Sequence, residues 1–386
     1  MRPHRRLTHR VLITLALVCA AAFASTATAG AATSAADTLD AALAKFIAKD
    51  GASPGISVVV QGSGSPELHT AGVANVDTDA PIALNDQMRM ASVAKAYSGA
   101  AAAALVGDGK LEFSTTIGEV LPDQPSTWSK ITLAQLMQHT SGIADFSGSK
   151  DFRAAVQASP DVSPPPAQLP TYVAKDPLLF TPGSKYKYSN TDNILIGLMV
   201  AAVTNSTYEQ QLASLVYGPM SLKSTSLPSG VAMPSPYVHA YVVDPPNAPE
   251  DVSEPFAAGW AWASGGIVAT PADANAFVRG YVSGATIPES VSKQQFKFRA
   301  GHSEPIGPGK NSVGLSVFRY ETKCGTVYGH TGNTAGFTQF AASDRKGEHS
   351  VVVSVNAQIT PNSNAKLFVD LRRIYELGVC AALATA

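Results

Sequence analysis

The sequence predicts an α/β fold, a mainly antiparallel sheet flanked by helices with a helical domain inserted into it. Three observations predict it. β-Branched runs lie near both ends of the chain, the middle reads as helices among proline-rich loops, and the last segment is an amphipathic helix. Strands from both termini must meet in one sheet, so the middle becomes an insertion. The expected division is a sheet domain from residues 30–96 and 255–386 and a mainly helical insert at 97–254, after a leader at 1–29. A chain of 386 residues, 45% apolar and 15% charged, buries a large core.

The elements follow in order. Leu39, Ala42, Leu43, Phe46 and Ile47 recur at helical spacing within residues 35–49, and Gly51 ends the helix. Residues 55–61 form a β-branched run, with residues 67–74 as its partner strand beyond a Gly/Ser/Pro turn. Ser92 opens an alanine-rich helix to about Val106, stopped by Gly107-Asp108-Gly109. Helices are predicted at 133–138, 193–203 and 208–215, and a surface loop at the proline-rich 159–170. A helix at 271–282 precedes strand-like runs at 313–320, 326–329, 336–342 and 351–356, and residues 365–383 form the closing helix.

The leader has a basic start (Arg2, Arg5, Arg6, Arg10), an apolar run from Val11 to Ala24 and the small-x-small site Ala27-Thr28-Ala29. This predicts export by a signal peptide, and no stable membrane anchor is expected in the remainder. Of the 28 basic residues four lie in the leader, leaving 24 against 29 acids, a net of −5. With no basic run left, neither nucleic acid nor an anionic membrane surface is expected as a partner. Cys324 and Cys380 remain, and in an oxidising compartment the pair reads as one disulfide, with two buried thiols as the alternative. Two cysteines this far apart, with no CxxC or HExxH, predict neither a metal nor a cofactor.

Six Ser-x-x-Lys pairs occur: Ser92/Lys95, Ser147/Lys150, Ser184/Lys187, Ser290/Lys293, Ser343/Lys346 and Ser363/Lys366. On a helix this spacing sets hydroxyl and amine one turn apart on one face, where a desolvated lysine can activate the serine. Only Ser92 follows a strand-like approach (Met88-Arg89-Met90) and opens a long apolar helix, whose N-terminal N–H groups favour developing negative charge. Two further elements are Tyr188-Ser189-Asn190 before a helix and His330-Thr331-Gly332 at a glycine-flanked strand end. Gly51-Ala52-Ser53-Pro54-Gly55 matches G-x-S-x-G, but Ser53 lies between a helix and the following strand, the reverse of a nucleophile elbow.

Together and in this order, S-x-x-K, Y-S-N and H-T-G resemble the serine penicillin-recognising family: class C β-lactamases, D-alanyl-D-alanine carboxypeptidases and related esterases. The variant looks most like the secreted D-alanyl-D-alanine carboxypeptidase/transpeptidase. The resemblance spans nearly all the mature chain, including Leu136-Met137-Gln138-His139-Thr140-Ser141-Gly142 and Ser264-Gly265-Gly266-Ile267-Val268. It implies the two-domain serine β-lactamase/DD-peptidase fold and a bond between Cys324 and Cys380. It further implies Ser92 as the acylated nucleophile, Lys95 as the group assisting its deprotonation and Tyr188 as proton shuttle. Asn190 would bond the substrate amide, His330 would take the motif's basic position, and the N–H groups of Ser92 and Asn333 would form the oxyanion hole.

The implied activity is hydrolysis through an acyl-enzyme, with a D-alanyl-D-alanine carboxypeptidase acting on peptidoglycan stem peptides as the leading reading. An esterase or amidase on small substrates, a β-lactamase and a non-catalytic peptidoglycan or β-lactam sensor are the alternatives. Candidate substrate-binding residues are Thr331, Gly332, Asn333, Phe318, Arg319, Trp260 and Trp262. Relatives hold a terminal carboxylate with an arginine six residues before the cysteine; here Phe318 has that place and Arg319 is offset by one. In a strand such an offset turns the side chain to the other face. The expectation is that Phe318 faces the cleft, Arg319 faces away, and substrates without a free carboxylate are preferred. His330, in place of lysine, is expected to change charge within the working pH range.

Overall fold

The computed structural model describes residues 35–384, and the leader expected at residues 1–29 lies outside the described residues. Helix α1 (Ala35–Ile47) buries Leu39, Leu43 and Phe46 along one stripe and leads into strand β1 (Gly55–Gln61). Strand β1 is buried almost throughout, because helices cover both faces of its sheet. Strand β2 (Glu67–Gly72) is the half-exposed edge.

Three longer helices among those that follow position the site. Helix α2 (Ala94–Gly107) is buried on every side from Ala94 to Leu105, which explains its alanines: neighbours crowd it all round and leave space for little more than a methyl group. Helix α3 (Asn190–Thr204) packs against it, and α4 (Pro271–Ser283) lies against the sheet. The chain then supplies β3 (Arg299–Ala300), β4 (Lys310–Val313), β5 (Phe318–Thr322), β6 (Gly325–Thr334), β7 (Phe337–Ser343) and β8 (Ser350–Val355). Helix α5 (Ala365–Ala384) closes the chain against α1. The eight strands run β2-β1-β8-β7-β6-β5-β4-β3, every neighbouring pair antiparallel, so β1 enters beside β8 and joins the two ends of the chain. Residues Cys324, at the β5–β6 turn, and Cys380, on α5, are disulfide-bonded with their Cα atoms 5.1 Å apart.

Three local expectations change. The run at 313–320 is two strands, because Ser316 takes a positive φ of 55° and its N–H donates to the Met137 carbonyl at 2.6 Å. That contact with the helical region draws residues 314–317 out of the sheet. Strand β6 continues past Gly329 to Thr334, so His330-Thr331-Gly332 lies within a strand rather than at its end. Part of the proline-rich segment is a 3₁₀ helix, Pro166–Val173, which buries Leu169 and Val173. No helix among the described residues is long and apolar enough to cross a membrane.

Candidate active site

Ser92 lies in a single 3₁₀ turn, Ala91–Val93, that runs straight into α2. Ala91 before it holds a positive φ of 49°, a conformation costly for a residue with a Cβ and therefore enforced by its surroundings. Lys95, one turn on, is buried, and its Nζ stands 3.1 Å from Ser92 Oγ, 2.7 Å from Asn190 Oδ1 and 2.7 Å from the Ser264 carbonyl. Burial brings its pKa down to about 7, against the pull of Asp145, Glu304 and Asp192. A neutral amine has two N–H bonds and one lone pair. Asn190 Oδ1 and the Ser264 carbonyl can only accept, so they take both N–H bonds and leave the lone pair for the Ser92 hydroxyl. The arrangement makes Lys95 a competent base near neutral pH.

Asn190 is turned by its own amide. Its Nδ2 donates to Asp145 Oδ2 at 2.9 Å and to Ser147 Oγ at 3.2 Å, which leaves Oδ1 facing Lys95. Asn190 was expected to bond the substrate amide; in the free protein its polar atoms are committed to this network. Helix α3 begins at Asn190, three residues earlier than expected, so Tyr188 sits immediately outside its start. Tyr188 is 6% exposed and its ring lies 5.0 Å from Lys95 Nζ. Burial raises its pKa well above the usual phenol value, although Ser92 lies near enough to oppose the rise. Among the described residues no atom meets its hydroxyl in hydrogen-bonding geometry, so at neutral pH Tyr188 offers a free proton donor.

Beneath Tyr188 lies His139, from the Leu136–Gly142 segment. Its Nδ1 meets Asp192 Oδ2 at 2.9 Å, Ser141 Oγ donates to Asp192 Oδ1 at 2.5 Å, and the His139 and Tyr188 ring centres are 4.5 Å apart. Burial pushes both partners toward their uncharged forms: His139 falls to about 3 and Asp192 rises. The cluster packs under the tyrosine.

His330 reaches the site from β6 and is 1% exposed. Burial first, then the nearby Lys95, lowers its pKa to about 3. The expectation that its charge changes within the working range is therefore corrected: desolvation keeps the imidazole neutral there. Its Nδ1 faces the Thr331 carbonyl, which sets the proton on that nitrogen and leaves Nε2 an acceptor without a partner. Thr331 is fully buried and donates to the Pro305 carbonyl at 2.5 Å, so it holds a loop and does not line the groove. Gly332 is required by close approach: a Cβ there would stand 2.7 Å from the Ser92 nitrogen and 2.8 Å from the Met90 carbonyl.

A cavity of about 400 Å³ opens over Ser92, lined also by Tyr188, Asn190, Ser264, Asn333 and Trp260. Trp262 is corrected: its Nε1 donates to Glu209 at 2.7 Å and its ring packs on Tyr208 in the helical core. Neither residue of the strand pair lines the cavity. Arg319 is held on Ser312, Glu321 and the Phe298 ring, while Phe318 is buried with its ring 4.9 Å from that of His330. Phe318 supports the histidine and does not meet the cleft; its place in the apolar layer under α1 and α5 explains this. Sequence reasoning missed Asp145, Phe146, Phe152, Val156, Phe256 and Glu304, all in the lining. Of the other five Ser-x-x-Lys serines only Ser147 reaches the cavity, where its hydroxyl donates to Asp145 at 2.9 Å.

The comparisons agree with this fold. A D-stereospecific amidohydrolase from Streptomyces sp. superposes with a TM-score of 0.74 at 24% identity, over 86% of this chain and 97% of that one. D-amino acid amidase from Ochrobactrum anthropi, solved with D-phenylalanine, superposes with a TM-score of 0.77 at 20% identity, over 89% and 98%. Protein flp of Staphylococcus aureus (strain MW2) is 26% identical over 178 residues, which are 45% of this chain and 34% of that relative's length. The Beta-lactamase family profile matches residues 39–374. With a large antiparallel sheet flanked by helices and a match over most of its length, the chain belongs to the Beta-lactamase family and has its serine-hydrolase fold.

Proposed function

We propose that the chain is a serine hydrolase acting through an acyl-enzyme on small amides or esters, with Ser92 as nucleophile. Lys95 Nζ takes the Ser92 proton as Oγ bonds to the substrate carbonyl carbon. The N–H groups of Ser92 and Asn333 are proposed to receive the oxyanion. Tyr188, a phenol in the free site, donates its proton to the leaving nitrogen or oxygen as that bond breaks and recovers one from Lys95. Water then attacks the ester carbon, its proton passing back through Tyr188, and Ser92 leaves as the hydroxyl.

The observation that carries the choice of substrate is the lining. It holds two carboxylates, Asp145 and Glu304, and no lysine or arginine; Lys95 is buried beneath it. A carboxypeptidase needs a cation where the terminal carboxylate docks, and here a carboxylate would meet like charge. Beside the two acids stands an apolar wall of Phe146, Phe152, Val156, Phe256 and Trp260, with Phe152 edge-on to Phe146 at 4.8 Å and to Trp260 at 5.7 Å. The wall supports a bulky apolar acyl part, and likeness to the two amidases agrees with an amide as substrate.

The test compares kcat/KM for a D-Ala-D-Ala peptide and for its C-terminal amide. The amide is expected to be favoured by about ten-fold or more, on the usual worth of a charged hydrogen bond. A preference for the free acid would return the carboxypeptidase reading.

A further inference from the structure

Glu304 is the acid that the mechanism above does not use. It lies in the loop between β3 and β4 at the cavity lining, exposed as a residue although partial burial of its carboxyl raises the pKa against the pull of His302 and Lys187, and it makes no hydrogen bond or ion pair with any described residue. The loop under it is tied down on several sides. Thr331 donates to the Pro305 carbonyl at 2.5 Å, the Tyr186 hydroxyl donates to the His302 carbonyl, the Gly307 N–H donates to Ser303 Oγ at 3.2 Å, and Arg372 Nε donates to the Gly307 carbonyl at 3.1 Å. An exposed acidic side chain on a mobile loop has no assigned direction, whereas this one has a fixed root. The threonine of the H-T-G segment is one of the ties, so the loop is coupled to the strand that passes Ser92.

The second acid of the lining has a different position. Asp145 caps the Ser147 N–H at 2.9 Å and receives Asn190 Nδ2, so its oxygens are engaged within the protein. Glu304 alone of the two is free to take a ligand, with Asp145 adding to the negative field in which that ligand sits. The cavity has a further unsatisfied group pointing to a ligand: the Tyr188 hydroxyl, 6% exposed by residue and without a partner. A hydroxyl donor, an unpaired carboxylate and an aromatic wall share one cavity of about 400 Å³ with the nucleophile.

We propose that Glu304 receives a cationic amino group on the acyl part of the substrate, so that the site selects amides and esters of apolar amino acids whose amine is free. This rests on the hydrolase reading above and adds to it the charge and position of the group next to the scissile carbonyl. Of the cations nearest in charge effect, His302 and Lys187 form no ion pair with Glu304 and do not line the cavity, and Lys95 is held by Asn190 and the Ser264 carbonyl, so among the described residues an incoming ammonium has no tethered competitor.

The experiment measures kcat/KM for D-phenylalanine p-nitroanilide, its N-acetyl derivative and the p-nitrophenyl ester of 3-phenylpropionic acid, which has no amine. An N-acetyl-lysine p-nitroanilide separates a free α-amine from a cationic side chain as the source of charge. Wild type is expected to favour the free amine over the N-acetyl compound by about ten-fold or more. In Glu304→Gln this ratio is expected to fall toward one, and in Glu304→Lys to invert; a ratio within each variant cancels any general loss of activity. Competition by phenethylamine against the neutral ester gives a second readout on wild type alone, with inhibition weakening at high salt. A wild-type ratio near one, or a ratio unchanged in Glu304→Gln, overturns the proposal while ester turnover leaves the hydrolase reading standing. Faster turnover of the N-acetyl-lysine compound than of the free-amine compound also overturns the α-amine assignment. No turnover of any of these compounds sinks both.

Discussion

The helical and strand sides of the cavity are held by different means. On the helical side Ser92, Lys95, Asn190, Asp145, Ser147 and Ser264 form a chain of polar contacts between 2.7 and 3.2 Å long. On the strand side the β6–β7 ladder sets positions through the backbone, and His330 Nε2 is left without a partner. Two buried histidines show the contrast. His139 and His330 are both pushed to about 3, but His139 is bonded to Asp192 while His330 is bonded only to its neighbour's carbonyl. Burial sets protonation on both sides. Partners decide which groups are scaffold and which are left available to a substrate.

The sharpest break in the comparison comes from the helical side. Ser92→Ala is expected to abolish covalent labelling by a β-lactam or activated ester, with turnover down by at least about 10⁴-fold. Intact mass after incubation with the reagent checks it, and labelling that persists would move the nucleophile to another serine.

Next in size is the covalent staple of the strand side. Cys324 stands at the β5–β6 turn and Cys380 on α5, closing a sequence separation of 56 residues. Replacing both by alanine is expected to lower stability by about 4 kcal/mol in the chain-entropy description. Urea unfolding midpoints of the two proteins measure it; a difference under about 1 kcal/mol would assign the strand side's rigidity to the sheet alone.

The smallest effect is the most discriminating. Lys95 must be neutral to act as base, so kcat/KM is expected to fall about ten-fold per unit as pH drops below about 7. His330→Gln should keep that limb in place, because the imidazole carries no charge above about pH 3. Its stability signature has the opposite location. The unfolded chain protonates this histidine near pH 6.5 and the folded protein only near 3, so the unfolded state binds more protons between them and stability falls as pH falls through that window. The glutamine variant should show a shallower loss. A pH limb displaced in His330→Gln would mean that the strand side does tune Lys95.

Much of the proposed catalytic set was legible because it is local. Ser92 and Lys95 are one turn apart on a helix, and the helix was readable from its alanines and its glycine stop. Tyr188 and Asn190 were readable only as part of an ordered set with the H-T-G segment, since each alone resembles an ordinary helix start. Phe318 and Trp262 were misplaced for the reciprocal reason. Alternation along a strand gives a side, but Phe318 faces an apolar layer under two helices, and sequence spacing does not say what covers a face. Glu304 and Asp145 carried no signal at all, being single acids in loops.

What the sequence by itself determined is the pattern of short-range physics: periodicity, breakers, the turn-spaced Ser92 and Lys95, and the meeting of strands from both ends of the chain in one sheet. Tertiary structure alone decided protonation and access. Lys95 falls to about 7 and His330 to about 3 because residues distant in sequence exclude water from them. Glu304 comes to the cavity lining because Thr331, Tyr186 and Arg372 tie down its loop from three other parts of the chain. Desolvation and convergence depend on what surrounds a group in space, and no local stretch of sequence contains that.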